Sequence, residues 1–303
     1  MEYIISAYTD VGTRRKGNQD SLCARRAALP GGGEAVMAVV CDGMGGLQRG
    51  ELASAAAVRA FGRWFDSNLT RFPALCDDGF AQVQSQWTDV LSDLHNRLLA
   101  YSEEHHVQLG TTLTAFLACG SHYVTVNVGD SRIYEYRNGI LKQLTQDQSL
   151  VAQEVAKGRI TEEQARRHPQ RNVLLQCLGA GPAITPVFTQ GLVASEGLYL
   201  LCTDGFIHEV SPAELAQALE TPRMTTKDVL NRILSEVTGI CMARGESDNI
   251  TAILMKSTET PAVPAAGGLR GLWKRMLPKK DKDVAQGAVL METAEIVYTT
   301  EEI

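Results

Sequence analysis

This 303-residue sequence lacks the long apolar runs, the paired cysteines and the strong net charge that mark several large classes of protein. No stretch approaches the roughly 18 consecutive apolar residues of a membrane-spanning helix, and the opening MEYIISAYTD has no basic region of a secretory signal. The 29 basic and 35 acidic residues give a net charge of -6, which does not favour binding of nucleic acid through its phosphates. We therefore expect a soluble cytoplasmic protein.

The seven cysteines and six histidines form no recognisable ligand pattern. The cysteines are scattered, odd in number and without a CxxC pair, which favours reduced core thiols over a disulfide framework. The histidines are dispersed except for His105 and His106, which end a predicted helix where a positive ring suits the helix dipole. These residue types therefore do not indicate a zinc site.

Hydrophobic periodicity predicts strands and helices in an order typical of an α+β protein. Strand patterns occur at 3–8, 35–41, 111–119, 122–128, 131–137, 140–144, 198–205 and 249–256, and helical patterns at about 51–68, 79–105, 211 onward and 226–243. The strands between 111 and 144 are joined by turns too short for a crossover helix, so they must pair antiparallel. We therefore predict antiparallel sheets with pairs of helices on their outer faces.

The composition changes after Lys256, where STETPAVPAAGGLRG is typical of a linker. Residues 269–282 carry six basic side chains and one acid, whereas 283–303 carry five acids and no base. We expect one domain over residues 1–257, interrupted by short helices at about 146–170, and a flexible, charge-segregated tail over 258–303. Alternatively, LRGLWKRML in this tail could form a weak amphipathic anchor for a membrane surface or a partner.

Five aspartates share one context, because each lies at or near the end of an apolar run: Asp20, Asp42, Asp130, Asp204 and Asp248. A single Asp-Gly pair is commonly a turn, and a hairpin turn is an alternative explanation for Asp130. Five acids at the rim of one predicted sheet, however, repel one another unless a cation neutralises them. Oxygen ligands without a histidine or cysteine cluster favour Mg²⁺ or Mn²⁺.

The loop VGTRRKGNQDS, residues 11–21, places Arg15 five residues before Asp20. A guanidinium can grip a phosphate group through two hydrogen bonds. Two cations roughly 4 Å apart can activate a water and stabilise a displaced oxyanion. Arg15 is therefore a candidate phosphate ligand beside the metals, and its alternative on spacing alone is a surface salt bridge.

Six short motifs occur in the order known from one enzyme family: GTRRKGNQD, VVCDGMGG, GTT at 110–112, NVGDSR, CTDG and SDNIT. Together they resemble the metal-dependent protein serine/threonine phosphatases, the protein phosphatase 2C or PPM family, in its compact bacterial form. Residues 145–179, which contain HPQRN, resemble the flap of that family. The resemblance covers residues 3 to about 256. It implies a four-layer αββα sandwich of two stacked antiparallel sheets flanked by helix pairs.

The resemblance also implies a centre of two Mn²⁺ or Mg²⁺ ions. By position, Asp42 resembles the carboxylate that bridges both ions, and Gly43 resembles the backbone-carbonyl ligand of one of them. Asp204 and Asp248 resemble the ligands of the other ion.

Further residues match family positions around this pair of ions. Asp20 resembles the acid that orients metal-bound water and is a candidate metal-site residue itself, while Arg15 resembles the phosphate-binding arginine. Asp130, together with Asp204, resembles the ligands of a weaker third metal in bacterial members. Within the flap, the candidate site residues are Gln146, His168 and Arg171.

Two positions depart from the family pattern. Some members have a histidine after the DG of the second motif, proposed to protonate the leaving oxygen, whereas this chain has Met44, which cannot donate a proton. Water at the third metal site, held by Asp130, and His168 in the flap are the two replacements that we consider. Gln19 stands where many members have glutamate, and its amide oxygen can still orient a water.

The activity implied by the resemblance is hydrolysis of phosphoserine and phosphothreonine by direct attack of a metal-bridging hydroxide. The implied partners are phosphorylated proteins and the Ser/Thr kinase that modifies them, and we expect a monomer. One alternative is a phosphatase-like module that only binds phosphoprotein, which should lack one of the acids Asp42, Asp204 and Asp248 that are present here. The other is a phosphatase of small phosphoesters, although a flap of ~25 residues suits a protein surface better.

Overall fold

The computed structural model describes residues 1–29, 32–44, 49–72, 80–220, 225–258 and 293–298, the last segment by its backbone alone. The strands in these ranges are β1 (Glu2–Asp10), β2 (Ser21–Ala28), β3 (Glu34–Cys41), β4 (Leu113–Cys119), β5 (His122–Val128), β6 (Arg132–Arg137), β7 (Ile140–Gln143), β8 (Val187–Leu192), β9 (Leu198–Cys202), β10 (Ile250–Thr258) and β11 (Thr293–Tyr298). The α-helices are α1 (Gly50–Ser67), α2 (Ala81–His105), α3 (Leu150–Ala156), α4 (Glu162–Arg166), α5 (Pro212–Ala218) and α6 (Lys227–Ala243).

The strands form two antiparallel sheets. The first sheet has the order β1-β10-β9-β6-β7, and the second has the order β11-β2-β3-β4-β5-β8. In the second sheet Ser21 at the start of β2 pairs with Cys41 at the end of β3. In the first sheet Cys202 at the end of β9 pairs with both Ala252 in β10 and Arg132 at the start of β6. These registers bring the loops after β3 and β9 to the same sheet ends as the loops before β2, β6 and β10.

Three apolar cores separate four layers of secondary structure. Phe61 of α1 and Trp87 of α2 belong to the core between this helix pair and the second sheet. Leu200 of β9 belongs to the core between the first sheet and the pair α5 and α6. Phe116 and Tyr199 pack between the two sheets, with their ring centroids 4.9 Å apart. Burial of this apolar surface is the main term that holds the layers together.

The fold class predicted from the sequence is therefore confirmed. The long helical patterns match α1, α2 and α6 to within a few residues, and the short helices expected at about 146–170 are α3 and α4. A capping box of Thr161 and Gln164 begins α4. The helix predicted from Ser211 is α5, where Ser211 accepts a hydrogen bond from the backbone of Glu214.

Two strands, β2 and β8, have no clear strand pattern in the sequence and were not predicted. The sequence of β2, SLCARRAA, carries two consecutive arginines in a buried strand, which obscures the strand pattern. Arg25 points to the helix side of the sheet, where its guanidinium lies 3.5 Å from a carboxylate oxygen of Asp66 at the end of α1. The sequence of β8, VFTQGL, is only partly buried at the sheet edge, so its apolar pattern is weak.

Part of the segment predicted as a flexible tail has regular backbone structure. Thr293–Tyr298 form β11, which pairs antiparallel with β2, so that Thr293 lies opposite Ala27 and Tyr298 opposite Leu22. The rest of the predicted tail, including LRGLWKRML, lies outside the described residues. The linker pattern after Lys256 therefore did not predict a return of the chain to the edge of the second sheet.

The cysteines and helices bear on two other expectations. Cys41, Cys177, Cys202 and Cys241 are free thiols, whereas Cys119 is disulfide-bonded, which the scattered cysteine spacing did not predict. No helix in the described part of the chain has both the length and the apolar composition needed to cross a membrane.

Replacement of Trp87 should test the helix-side core. Its ring is fully buried and lies 5.2 Å from Phe61 and 5.4 Å from Trp64, centroid to centroid. Trp87→Ala should lower the free energy of unfolding by about 3–5 kcal/mol, because the cavity cannot be refilled by neighbours on two helices and a sheet. Denaturant unfolding measures this, with Leu192→Ala, at an exposed site, as the control. A loss below about 1 kcal/mol, typical of an ordinary mild substitution, would contradict this packing.

Candidate active site

The five predicted acids lie at one end of the sandwich. Asp20 directly precedes β2, Asp42 directly follows β3, Asp130 lies between β5 and β6, Asp204 follows β9 and Asp248 lies just before β10. The strand registers described above make these sheet ends neighbours. The hydroxyl of Thr203, which precedes Asp204, donates to Oδ2 of Asp20 at 2.9 Å, so one hydrogen bond joins Asp20 at the end of the second sheet to the residue before Asp204 at the end of the first.

The loop that carries Arg15 packs against the segment that carries Asp248. Asn249 holds this loop, because its side-chain nitrogen donates to the carbonyl oxygens of Val11 and Gly17 and its side-chain oxygen accepts from the backbone of Gln19. Gly12 adopts a positive φ of 75°, and a Cβ there would collide with the carbonyl oxygen of Asp248. The position of the loop that carries Arg15 is therefore fixed by its contacts with the segment that carries Asp248.

Gly43 lies in an equally tight position. Its N–H donates to the carbonyl oxygen of Gln19 at 3.1 Å, and a Cβ would collide with the carbonyl oxygens of Gln19 and Gly50. Only glycine therefore lets the chain after Asp42 pass between β2 and the start of α1. The side chain of Gln19 donates to Glu51 at 3.0 Å, so its amide nitrogen is used in holding α1.

The carboxyl groups of Asp20 and Asp42 resist ionisation. Burial is the largest cause that raises the pKa of Asp20 to about 7, and the charges of Asp204 and Asp248 add to it. Hydrogen bonds from Thr251 and Thr203 act in the opposite direction and offset only part of the rise. Burial and the charges of neighbouring acids, first Asp20, raise the pKa of Asp42 well above its usual range. These shifts show that the acids lie close enough to repel one another.

The pKa values of Asp130 and His208 are also raised by their surroundings. Burial, followed by the charge of Asp204, raises the pKa of Asp130 to about 8. Burial alone would lower the pKa of His208, but the carboxylates of Asp204 and Glu246 outweigh it and raise the pKa to about 9. Nε2 of His208 lies 3.3 Å from Oδ2 of Asp204. A histidine cation is thus one partner of the acid cluster.

Arg15 is the second cation of the cluster. Its Nε and Nη2 donate to the two carboxylate oxygens of Asp248 at 2.9 and 2.8 Å. This hydrogen-bonded pair raises the pKa of the guanidinium, and the charges of Asp42 and Asp204 contribute in the same direction. The structure therefore places Arg15 beside the acids as predicted, and also in the salt bridge that was its alternative.

Among the described residues, no three acidic, histidine or cysteine side chains are already arranged around one point as a metal site. The pairs of Arg15 with Asp248 and of His208 with Asp204 are consistent with this, because they occupy carboxylate oxygens. Oδ1 of Asp20 and Oδ1 of Asp204 are nevertheless buried without a hydrogen-bond partner, which is costly for a carboxylate. A divalent cation would satisfy such oxygens, so the donor set fits Mn²⁺ or Mg²⁺ in charge and chemistry.

The family model for protein phosphatase 2C matches residues 13–255. The chain belongs to the protein phosphatase 2C family. This match contains all five acids, Arg15 and the flap.

Named relatives agree with the family model. Serine/threonine protein phosphatase PstP of Mycobacterium tuberculosis is 31% identical over 254 residues, which are 82% of this chain and 44% of PstP. Serine/threonine phosphatase stp of Listeria monocytogenes is 32% identical over 225 residues, which are 72% of this chain and 83% of the relative. The solved catalytic domain of PstP in complex with two manganese ions has a TM-score of 0.68 at 27% identity, and the match covers 85% of this chain and 99% of that domain. The chain thus spans less than half of the curated PstP sequence.

The flap of this protein phosphatase 2C member borders a cleft of about 880 Å³ that reaches two of the five acids. Gln146 and Arg171 line this cleft, together with Asp130, Asp204 and His208. His168 is not among the lining residues, and its Nδ1 accepts the backbone N–H of Gln170 at 3.1 Å. The structure therefore brings two of the three predicted flap residues to the cleft and keeps the third in a local turn.

Four further residues belong to this site and were not predicted from the sequence. Thr203, His208, Glu246 and Asn249 each contact a predicted site residue or its loop. Asn249 and Thr203 stand inside the quoted motifs SDNIT and CTDG, so the motifs themselves carried the signal. His208 and Glu246 lie outside any motif, and only their four- and two-residue spacing from Asp204 and Asp248 hints at contact.

Without metal, the protein should lose stability as the pH rises from about 4 to about 8. Asp20 and Asp130 titrate at about 4 in an unfolded chain, but at about 7 and about 8 in the folded protein. Over this range the folded state keeps protons that the unfolded state has lost, so the melting temperature measured in a chelator should fall. Added Mn²⁺ should oppose the fall, since deprotonated carboxylates are the form that binds a cation.

Asp20→Asn is the matched variant for this experiment. It keeps an oxygen that can accept from Thr203 and removes the titrating charge, so its melting temperature should fall less steeply with pH. Leu192→Ala, exposed on β8, should follow the wild-type slope. A wild-type melting temperature that rises across this range in chelator would show that the acids are not held protonated.

Proposed function

We propose that this chain is a Mn²⁺- or Mg²⁺-dependent protein serine/threonine phosphatase that acts as a monomer in the cytoplasm and opposes a Ser/Thr kinase. The observation that carries the proposal is the buried acid cluster with two unpartnered carboxylate oxygens beside Arg15. Family membership supports it, as do the names of PstP and stp as serine/threonine phosphatases. The solved PstP domain with two manganese ions supports the choice of cation.

The residues that would hold two such ions are Asp42, the carbonyl of Gly43, Asp204 and Asp248. Bound there, divalent cations would supply an activated water as nucleophile and would neutralise the charge that develops on the phosphoryl group. Asp130 lies close enough to Asp204 for the charge of Asp204 to raise its pKa, and it would contribute to a weaker third metal site. No residue of the cluster is used as a nucleophile in this mechanism, so no phospho-enzyme forms.

Arg15 binds the phosphoryl group in this mechanism. In the structure its guanidinium pairs with Asp248. If Asp248 held a cation instead, the guanidinium would be released to bind two phosphoryl oxygens. A planar guanidinium can make the same two-pronged contact to either anion. Its side chain is 36% exposed, so a phosphoryl group on a protein surface can approach it.

Asp20 orients the attacking water. Its Oδ2 is fixed by Thr203, which leaves the buried Oδ1 free to accept a hydrogen bond. Its pKa of about 7 in the absence of metal shows that its surroundings let it hold a proton near neutral pH. An in-line approach of water to phosphorus depends on such fixed acceptors.

The proton for the leaving oxygen comes from water held at Asp130. Met44 has no proton to give, and His168 is engaged with Gln170 away from the cleft. Asp130 lines the cleft between the acids and the flap, where a serine or threonine oxygen would depart. These observations support water at Asp130 over His168 as the proton source.

Asp42→Ala should abolish phosphate release from phosphoserine and phosphothreonine peptides in Mn²⁺, a loss of roughly 10²–10³-fold or more, because it removes a carboxylate that would hold the cations. Circular dichroism should show that the variant stays folded, and Leu192→Ala should keep wild-type activity. Phosphate release that survives in Asp42→Ala would contradict the mechanism. A wild-type protein that cleaves only sugar phosphates would favour the small-phosphoester alternative, and one that binds phosphopeptides without cleaving them would favour the binding module.

Arg15→Ala should raise KM for a phosphopeptide by roughly 10- to 100-fold, the usual worth of a two-pronged charged hydrogen bond. Its kcat should change less, because the nucleophile and its ligands remain. Steady-state kinetics at saturating Mn²⁺ measure both constants. The neighbouring exposed Arg14 supplies the matched control, Arg14→Ala, which should leave KM unchanged. An unchanged KM in Arg15→Ala would count against the phosphate grip.

A further inference from the structure

Two side chains outside the assigned ligand set, Glu246 and His208, contact each other beside the acid cluster. Glu246 is only 4% exposed and lies two residues before Asp248. His208 lies four residues after Asp204 and is 19% exposed. Nδ1 of His208 is 3.4 Å from Oε2 of Glu246, so the pair joins the segment before β10 to the turn after β9.

The second oxygen of Glu246 fixes the backbone that carries Asp248. Oε1 accepts the N–H of Ser247 at 2.6 Å and the N–H of Asp248 at 2.8 Å. The carbonyl oxygen of Glu246 accepts the hydroxyl of Thr13 at 2.8 Å, which lies in the same loop as Arg15. Glu246 therefore fixes the main chain of Asp248, which is one of the assigned metal ligands.

The second nitrogen of His208 fixes the side chain of Asp204. Nε2 lies 3.3 Å from Oδ2, while Oδ1 of the same carboxylate is the buried oxygen without a partner. An imidazole has two nitrogens on opposite sides of its ring, so it can connect two carboxylates only in a restricted orientation. His208 thus sets which oxygen of Asp204 stays open to a cation.

A purely structural role would not require these residue types. Burying a carboxylate and an imidazole costs desolvation energy that apolar side chains of similar size avoid. Here the two ends of the pair lead to Asp204 and to Asp248, which are assigned to the same ion. Partners of this kind orient metal ligands, and their loss usually lowers metal affinity.

We propose that Glu246 and His208 are positioning residues that hold Asp204 and Asp248 together for one divalent cation. This rests on the function proposed above. The four residues Asp204, His208, Glu246 and Asp248 act as one unit, because each of them contacts the next. Neither positioning residue touches the substrate, so their effect is on the occupancy of the ion and not on the reacting atoms.

Isothermal titration of the full chain with Mn²⁺ tests the proposal without an activity readout. Glu246→Ala and His208→Ala should each weaken the binding of one Mn²⁺ by roughly 10- to 100-fold. The double variant should bind Mn²⁺ only slightly less tightly than the single variant with the lower affinity, because both changes break the same bridge between Asp204 and Asp248. His208→Phe keeps the ring volume and removes both nitrogens, so it should behave like His208→Ala even where alanine impairs folding.

A conservative variant and kinetics separate positioning from general destabilisation. Glu246→Gln should recover most of the Mn²⁺ affinity, because its amide oxygen can accept both backbone N–H groups. Its amide nitrogen can donate to Nδ1 of a neutral His208 whose proton is on Nε2, facing Asp204. In the alanine variants, the Mn²⁺ concentration for half-maximal phosphatase activity should rise in parallel with the binding constant. Their kcat at saturating Mn²⁺ should stay near that of wild type.

Lys256→Met provides the matched control. Lys256 is a buried charge on β10, paired with Glu196 at 3.0 Å, so its replacement should alter stability and leave Mn²⁺ affinity unchanged. Unchanged or tighter Mn²⁺ binding in Glu246→Ala and His208→Phe, with normal wild-type binding, would overturn the positioning role alone. A wild-type protein that binds no Mn²⁺ would overturn both this proposal and the proposed function.

Discussion

Repulsion between carboxylates at one end of the sandwich is the constraint on which the rest of the site depends. Antiparallel pairing brings the acids of both sheets to this end, and burial keeps water from screening them. Burial, and after it the charges of neighbouring acids, raises the pKa of Asp42 and of Asp130. A cluster of this kind is stable only with protons or cations as partners. The fold therefore creates a demand for positive charge at the place where a phosphate would be bound.

Different cations meet this demand at different acids. Arg15 pairs with Asp248, and His208 lies between Asp204 and Glu246. These protein cations leave some carboxylate oxygens unpartnered, notably Oδ1 of Asp204. Divalent ions would complete the neutralisation, and in doing so would allow Arg15 to turn from a carboxylate to a phosphoryl group. Metal loading and phosphate binding are thereby expected to depend on the same charges.

The sequence predicted the layers and the acids well, for identifiable physical reasons. The apolar periodicity of α1 and α2 is strong, and the position of an aspartate at the end of a strand follows from local pattern alone. Arg25 shows where such patterns fail, because its charge sits in a buried strand and is balanced by Asp66 from α1. The bridge from His208 to Glu246 could not be predicted, since their contact depends on the tertiary approach of two segments.

Arg15 shows the same limit inside a recognised motif. Its spacing from Asp20 placed it beside the acids, but only the folded structure shows that both oxygens of Asp248 are its partners. The flap gives a second example, because Arg171 lines the cleft while His168, three residues earlier, does not. Motif spacing predicts which segments meet, whereas side-chain partners depend on the competition among nearby charges.

Anomalous diffraction from crystals grown with Mn²⁺ would show whether the acid cluster binds divalent cations. We expect two strong peaks among Asp42, Asp204 and Asp248, with the carbonyl of Gly43 as a further ligand and the guanidinium of Arg15 turned away from Asp248. Absence of peaks at these acids at saturating Mn²⁺, or an Arg15–Asp248 pair that persists beside bound metal, would contradict this arrangement.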